Sequence, residues 1–325
     1  MRVLVVGGAG YIGSHMVRCL GKSGIDVIVL DNLSSGRQEA VTHGDLVVGD
    51  LGDRPLLDDL LGNNNFDSVM HFAAHIEVGE SVVNPAKYYL NNVVNTQVLL
   101  DAMRDHGILN FIFSSTAAIF GEPLKARIDE SHLRNPINPY GRSKLMVEQV
   151  LGDYDVAYGL KSVSLRYFNA AGADPAGDIG EYHDPETHLV PLVLRAASGR
   201  RDSISIFGSD YDTPDGTCVR DYVHVNDLCD AHLLALRALW AGCPSAAYNL
   251  GNGSGFSVRE VIDTAATVTG RDITVVEAGR RAGDPGTLVA DAECARTQLG
   301  WTPQFADLAT IIKHAWQWEQ VLANE

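Results

Sequence analysis

Tyr140 and Lys144 lie in the run Asn138-Pro-Tyr-Gly-Arg-Ser-Lys144. Residues at i and i+4 share a helix face, so this spacing predicts a phenol and an ammonium beside the same neighbour. A free tyrosine loses its proton near pH ~10, and an adjacent positive charge favours the phenolate. Moving that value by ~3 units takes about 4 kcal/mol of differential interaction. A lysine together with a second cation in a dry pocket would act in that direction, making Tyr140 a general base toward a hydroxyl. Alone, the spacing fits an amphipathic helix with an exposed lysine better, so the elements around it decide.

The N-terminus gives the first of these. Residues 2–7 form a short apolar, β-branched run that reads as a buried parallel strand. Gly7-Gly-Ala-Gly-Tyr-Ile-Gly13 follows at once, and a helical pattern covers 14–22. Gly8, Gly10 and Gly13 fit G-x-G-x-x-G, while Gly7, Gly10 and Gly13 fit the related G-x-x-G-x-x-G. Such a turn brings a pyrophosphate against free amides at a helix N-terminus. Gly7, Gly10, Tyr11, Ile12 and Gly13 are therefore cofactor candidates. A second strand, 26–31, ends in Asp31, which can accept hydrogen bonds from an adenosine ribose and repel a 2′-phosphate. NAD is expected rather than NADP, with Arg37 read as a solvated loop residue.

Polar residues close two later strands: Ser114-Ser115-Thr116 and Tyr167-Phe168-Asn169. Serines and threonines there often cap the next turn. Converging with Tyr140 and Lys144 on a dinucleotide, however, they read as chemistry at a carbinol: a phenolate takes the O–H proton and nicotinamide takes the C–H hydrogen. Thr116, Tyr140 and Lys144 are the catalytic candidates, and Ser114, Tyr140, Lys144 and Tyr167 also belong to the cofactor set.

Composition fits a soluble enzyme. At 325 residues and 46% hydrophobic, the chain can bury a large core. A net charge of -16 without a basic run argues against nucleic acid and anionic membrane surfaces. No apolar stretch reaches the ~18–20 residues of a membrane span. The start reads as a strand and glycine turn rather than a signal peptide, so a cytoplasmic location is expected. The 5 cysteines form no C-x-x-C pair and read as reduced thiols. The 11 histidines show no clustered ligand spacing, so no metal is expected.

Further strands are expected at 45–50, 68–74, 110–115 and 162–167, with helices over 85–106 and around Tyr140. This βαβ alternation predicts a Rossmann-type, doubly wound parallel sheet with ligands at the carboxyl ends of its strands. A Gly/Asp/Pro-rich stretch, 173–187, marks the main domain change. Shorter strands at 203–207, 221–225, 247–250 and 273–276 and a last helix over 305–322 follow. The predicted division is a dinucleotide domain over 1–172, rejoined by roughly 219–241, and a smaller α/β substrate lobe over 173–325.

Longer runs narrow the reading: Gly7 to His15, Asp31-Asn-Leu33, Val78-Gly-Glu-Ser81, Tyr88-Tyr89, Asn91-Asn92, Arg166-Tyr-Phe-Asn-Ala-Ala-Gly172, Val219-Arg-Asp-Tyr-Val-His-Val225 and Arg281-Ala-Gly-Asp284. Over essentially its whole length the chain resembles the extended short-chain dehydrogenase/reductase family and, within it, the UDP-glucose (UDP-galactose) 4-epimerases. The resemblance implies that Tyr140 is the base, Thr116 bonds the sugar 4-hydroxyl and Lys144 holds the nicotinamide ribose. NAD would oxidise sugar C4, the 4-keto sugar would turn, and the same hydrogen would return to its other face. Asp31, Asn32, Asp50 and Leu51 would hold the adenosine end, and Phe72, Ala73 and Asn91 would line the cofactor. Asn169, Leu189, Phe207, Arg220, Arg281, Asp284 and Leu288, with Thr116 and Tyr140, would bind the UDP-hexose. Arginines suit a diphosphate, and an aromatic ring suits uracil.

Two positions depart from the pattern. Ile76 stands where many members carry a lysine on cofactor phosphate, which implies looser NAD. Leu288 stands where a tyrosine restricts room around the sugar 2-substituent, which implies acceptance of N-acetylated hexosamines. Sibling dehydratases and decarboxylases need an acid beside the threonine, whereas Ala117-Ala118 follows here. UDP-glucuronate and UDP-pentoses remain alternative substrates. A non-catalytic dinucleotide scaffold would be marked by erosion of Tyr140, Lys144 or Thr116, and all three are present. The family also implies a homodimer through helices 85–106 and 139–158. Their apolar residues (Val94, Val98, Leu99, Met103; Leu145, Met146, Val150) serve sheet covering and subunit contact alike.

Overall fold

The computed structural model describes residues 1–281 and 284–324. Strand and helix alternate first: β1 (Arg2–Val6), α1 (Tyr11–Lys22), β2 (Asp26–Asp31), β3 (Asp45–Val48), α2 (Arg54–Asn63), β4 (Ser68–His71), α3 (Val78–Val83), α4 (Pro85–Tyr89), α5 (Thr96–Asp105), β5 (Asn110–Thr116), α6 (Pro139–Tyr158) and β6 (Lys161–Tyr167). Shorter elements follow: β7 (Asn169–Ala171), α7 (Leu189–Ser198), β8 (Ile204–Phe207), β9 (Val219–Arg220), β10 (Tyr222–His224), α8 (Val225–Trp240), β11 (Ala246–Leu250), β12 (Phe256–Ser257), α9 (Val258–Thr269), β13 (Val275–Ala278), β14 (Thr287–Leu288) and α10 (Leu308–Leu322).

The main sheet runs β3-β2-β1-β4-β5-β6-β11, and every pairing in it is parallel. Its strands are apolar because both faces are covered. On one face Met16, Val17 and Leu20 of α1 pack with Leu228 and Leu236 of α8. On the other, Leu57 and Leu61 of α2, Leu99 and Met103 of α5 and Val147 and Leu151 of α6 form the second layer. Strand order reverses at β1, so the crevice beyond the carboxyl ends of β1 and β4 is where such a sheet takes a ligand. A third core, with Val193 and Leu194 of α7, Val261 and Ile262 of α9 and Ile311 and Ile312 of α10, supports the smaller lobe.

Two elements differ from expectation. Residues 247–250, placed among the shorter strands of the second lobe, belong to β11 and pair with β6 from Ala246–Val163 to Leu250–Tyr167. The cause is α8, which returns to lie on α1 and delivers the chain to the sheet edge. The helix over 85–106 is interrupted by a π-turn at Leu90–Asn95. Such turns recur at functional sites, and this one carries Asn91, Asn92 and Asn95. The structure also separates the two roles of the helical apolar residues. Leu99 and Met103 are fully buried under the sheet, whereas Leu90, Val94, Met146 and Val156 face outward at 58%, 50%, 41% and 91% exposure.

Candidate active site

The glycine turn between β1 and α1 has no room for side chains. Gly7 has φ +81°, and a Cβ there would lie 2.4 Å from the Ala73 amide nitrogen; one on Gly13 would lie 2.1 Å from the Gly7 carbonyl oxygen. Gly10 is the N-cap of α1 and offers no side-chain cap, which leaves first-turn amides open to an anion. Gly7, Gly10, Asp31, Asn32, Leu51, Phe72, Ala73 and Asn91 line one cleft at this turn. Asp31 is 8% exposed and accepts from the Ala9 amide at 2.9 Å and the Leu33 amide at 2.8 Å. Its remaining lone pairs suit ribose hydroxyls and oppose a 2′-phosphate. Asn32 donates to Asp50 at 2.8 Å. These residues fit a dinucleotide with unphosphorylated adenosine ribose. The Tyr11 phenol donates to the Gly172 carbonyl at 2.7 Å, so only its main chain remains for the cofactor. Ile12 turns its side chain to the core beneath. Arg37 lies over the Tyr182 ring, 4.7 Å from its centroid.

Asn138 caps α6 by accepting from the Gly141 amide at 2.8 Å, with Pro139 at the first turn. This start places Tyr140 against the end of β5. Burial pushes the phenol up to about 12; the neighbouring Thr116 hydroxyl pulls the other way, and the Glu77 carboxylate adds to the rise. Thr116 also accepts from the Ala118 amide at 3.2 Å, so it caps the next turn and serves the tyrosine together.

Lys144 sits one turn further along α6 and is buried. Lys144 is 2% exposed, donates to the Ser114 carbonyl at 2.8 Å, and its Nζ lies 4.8 Å from the Phe113 ring centroid. Burial lowers its own value to about 7, against the pull of Glu148. Burial thus raises the phenol and lowers the ammonium. A cationic nicotinamide beside the phenol would supply a positive charge. Ser114 Oγ and the Tyr167 hydroxyl hydrogen-bond each other at the adjoining strand ends.

The sugar-side candidates come from short strands. β7 pairs with β10, and Asn169 donates through Nδ2 to the Asp221 carbonyl at 2.9 Å. β9 pairs with β14, setting Arg220 opposite Leu288. Leu288 packs against the small cluster formed by Ile128 and by Ala117, Ile119 and Phe120 of the turn that follows Thr116. Arg220 pairs with Asp284 and donates to the Val219 carbonyl at 2.8 Å. The Arg281 guanidinium lies 3.8 Å from the Phe207 ring centroid at the end of β8. Leu189 opens α7, two residues beyond Thr187, whose hydroxyl donates to Glu77 at 2.8 Å.

Four supporting residues were absent from the sequence-based set. Asp221 is fully buried; its carboxylate accepts from the Asn252, Gly253 and Ala290 amides at 2.8, 3.1 and 3.1 Å. Burial pushes that carboxyl up to about 6 against these amides. Asn92 accepts from the His75 amide at 2.9 Å and donates to Ser143 at 3.2 Å, tying the loop after β4 to α6. Glu148 binds Arg166 at 2.6 Å, each side chain 4% exposed, and accepts from Ser115 at 2.6 Å. Glu77 acts on Tyr140 as above. Asp221 and Asn92 sit inside the motifs at 219–225 and 91–92, where the burial of a polar side chain was the unread signal.

Residues 3–251 match the NAD dependent epimerase/dehydratase family. The chain belongs to that family. It is 53% identical over 316 residues to a UDP-glucose 4-epimerase of Rhizobium meliloti, covering 97% of this chain and 96% of that protein. The UDP-glucose 4-epimerase of Brucella ovis, solved in complex with NAD, superposes with a TM-score of 0.95 at 51% identity, covering 97% of each chain. The Bifidobacterium longum UDP-glucose 4-epimerase, solved with NAD+ and UDP, gives a TM-score of 0.94 at 38% identity over 100% of this chain and 99% of that one. The epimerase/dehydratase fold, with its Rossmann-type parallel sheet, is thus common to all of them.

Proposed function

We propose that this chain is an NAD-dependent 4-epimerase that interconverts UDP-galactose and UDP-glucose. The observation that carries the reading is the meeting of the Tyr140 phenol and the Thr116 hydroxyl at the end of β5, with Ala117 and Ala118 next in the chain. That pair can exchange a proton with a carbinol oxygen but has no adjoining acid to eliminate water from the sugar. Bound NAD supplies the acceptor, and afterwards the donor, of the hydrogen at sugar C4. Tyr140 takes the 4-hydroxyl proton and later returns it, Thr116 fixes the oxygen, and buried Lys144 holds the nicotinamide end from the Ser114 side. Gly7, Gly10 and Gly13 receive the pyrophosphate, Asp31 the adenosine ribose, and Asn32, Asp50 and Leu51 the adenine end.

For the substrate, Arg220 exchanges its bond to Asp284 for the UDP diphosphate, and Phe207 with Arg281 closes over the uracil. Asn169, Leu189 and Leu288 border the sugar. The 4-keto sugar turns about its link to the diphosphate and presents its second face. Residues 1–172 with the returning α8 and β11 form the cofactor domain, and the remaining shorter elements form the sugar lobe. Subunits pair through the outward residues of α4, the π-turn, α5 and α6, of which Leu90, Val94, Met146 and Val156 are exposed. Five unpaired cysteines suit a reducing cytoplasm. Among the described residues no helix is long and apolar enough to cross a membrane.

Incubating the purified protein with UDP-galactose and following the sugar anomeric protons by NMR tests this reading. Formation of UDP-glucose up to a stable mixture is expected. Conversion that needs added NAD would trace to Ile76 and its missing cation. No conversion with or without NAD would overturn the UDP-hexose assignment in favour of a UDP-uronate or UDP-pentose.

A further inference from the structure

Glu181, His183, Glu186 and His188 alternate along the stretch that joins β7 to α7, and the structure folds all four onto one point. One potential ligand atom from each lies within 4.8 Å of the other three. His183 Nδ1 is 3.3 Å from Glu181 Oε1 and 3.6 Å from Glu186 Oε2, while His188 Nδ1 is 2.8 Å from Glu181 Oε1 and 3.2 Å from Glu186 Oε1. A tetrahedral centre with bonds of ~2.0–2.1 Å sets its ligand atoms about 3.3 Å apart, and these separations bracket that value.

The hydrogen bonding is what distinguishes this group from two ordinary ion pairs. Glu181 Oε1, His183 Nδ1 and Glu186 Oε2 are buried and have no hydrogen-bond partner. The Glu181 and Glu186 side chains are 5% and 0% exposed. His188 Nδ1 does hydrogen-bond Glu186 Oε1 at 3.2 Å, but the approaches of His183 Nδ1 to both carboxylates and of His188 Nδ1 to Glu181 lack hydrogen-bond geometry, so lone pairs there point at a shared centre rather than at each other. The other oxygen of Glu186 is already held by the Thr187 and His188 amides at 2.8 and 2.9 Å, which orients the free one inward. The neighbouring Arg195 donates to the His183 carbonyl at 3.4 Å rather than to either carboxylate.

We propose that Glu181, His183, Glu186 and His188 form a binding site for one Zn2+ ion. Two carboxylates and two neutral imidazoles balance a divalent charge, and an N2O2 set suits zinc. Four protein ligands close the coordination shell, so the ion is structural. His188, with its side chain 42% exposed, gives it an entry path. The ion would fasten a segment that meets three others: the Tyr11 ring stands edge-on to His183, Trp318 Nε1 donates to the Glu181 carbonyl at 2.8 Å, and Thr187 bonds Glu77.

The test uses the full chain, stripped with a chelator and passed through gel filtration. Metal analysis after adding Zn2+ should find about one equivalent retained per chain, with a rise in Tm, and Co2+ in its place should give the visible bands of a tetrahedral ion. His183→Ala and Glu181→Gln should each lose the equivalent and the bands. Should a variant fail to fold, the wild-type Co2+ spectrum decides by itself. No retained metal in the wild-type protein, an octahedral Co2+ spectrum, or uptake unchanged in folded His183→Ala would overturn the site.

Discussion

Between β1 and α1 the chain forms a ligand surface from its own backbone in one glycine turn. Asn169, Arg220 and Leu288, by contrast, come from separate short strands joined through Asp221. The first region depends on absent side chains: a Cβ on Gly7 or Gly13 would meet main-chain atoms at 2.4 or 2.1 Å. The second depends on one buried carboxylate that accepts three amides, while its main chain accepts from Asn169 and donates to Leu288. A local turn can be specified by neighbours in sequence. A wall assembled from distant strands needs a buried polar centre to fix register, since each strand alone is too short to do so. Tyr140 and Thr116 stand where the two meet.

Tyr140→Phe should break the chemistry without disturbing either region. Turnover is expected to fall about 10²–10⁴-fold while NAD retention, read by absorbance after gel filtration, stays at the wild-type level. Asp221→Ala should break the assembled wall alone. Leaving buried amides unpaired costs about 1–3 kcal/mol each and not additively, so urea unfolding should show a loss of about 3 kcal/mol with weakened UDP binding and an intact glycine turn.

Leu288→Tyr sharpens the comparison within the sugar side. Crowding where Leu288 packs on the cluster of Ala117, Ile119, Phe120 and Ile128 should lower the ratio of UDP-N-acetylgalactosamine to UDP-galactose turnover; an unchanged ratio would mean that the wall at Leu288 does not face the 2-substituent. Glu77→Gln should have the smallest effect. The Glu77 carboxylate raises the Tyr140 phenol, so removing its charge lowers the pH at which the phenolate forms. The rising limb of the pH–rate profile should move to lower pH, with turnover at its maximum little changed.

The cofactor side was legible because its signals are local. Gly7, Gly10, Gly13 and Asp31 mark a strand, a turn and a strand end in one βαβ unit, and β2 appears with the bounds read from the sequence. Arg220 and Arg281 were legible as types but not as partners, because pairing with Asp284 and stacking on Phe207 depend on strands far apart in sequence. Lys144 was legible only in part for a related reason: its i,i+4 neighbour is visible in the chain, whereas the burial that lowers it to about 7 and the Ser114 carbonyl that receives it arise only when α6 packs on β5. The group at 181–188 escaped because its acids and imidazoles alternate along a non-helical segment, outside the helical spacings by which histidine ligands are recognised.

The most direct test of transient oxidation at C4 is to supply UDP-galactose deuterated at that carbon and examine the UDP-glucose formed, by mass spectrometry and NMR. If the hydrogen taken from C4 is the one returned, the product should carry the deuterium, still at C4. Product with protium at C4 would contradict epimerisation by removal and return of that hydrogen.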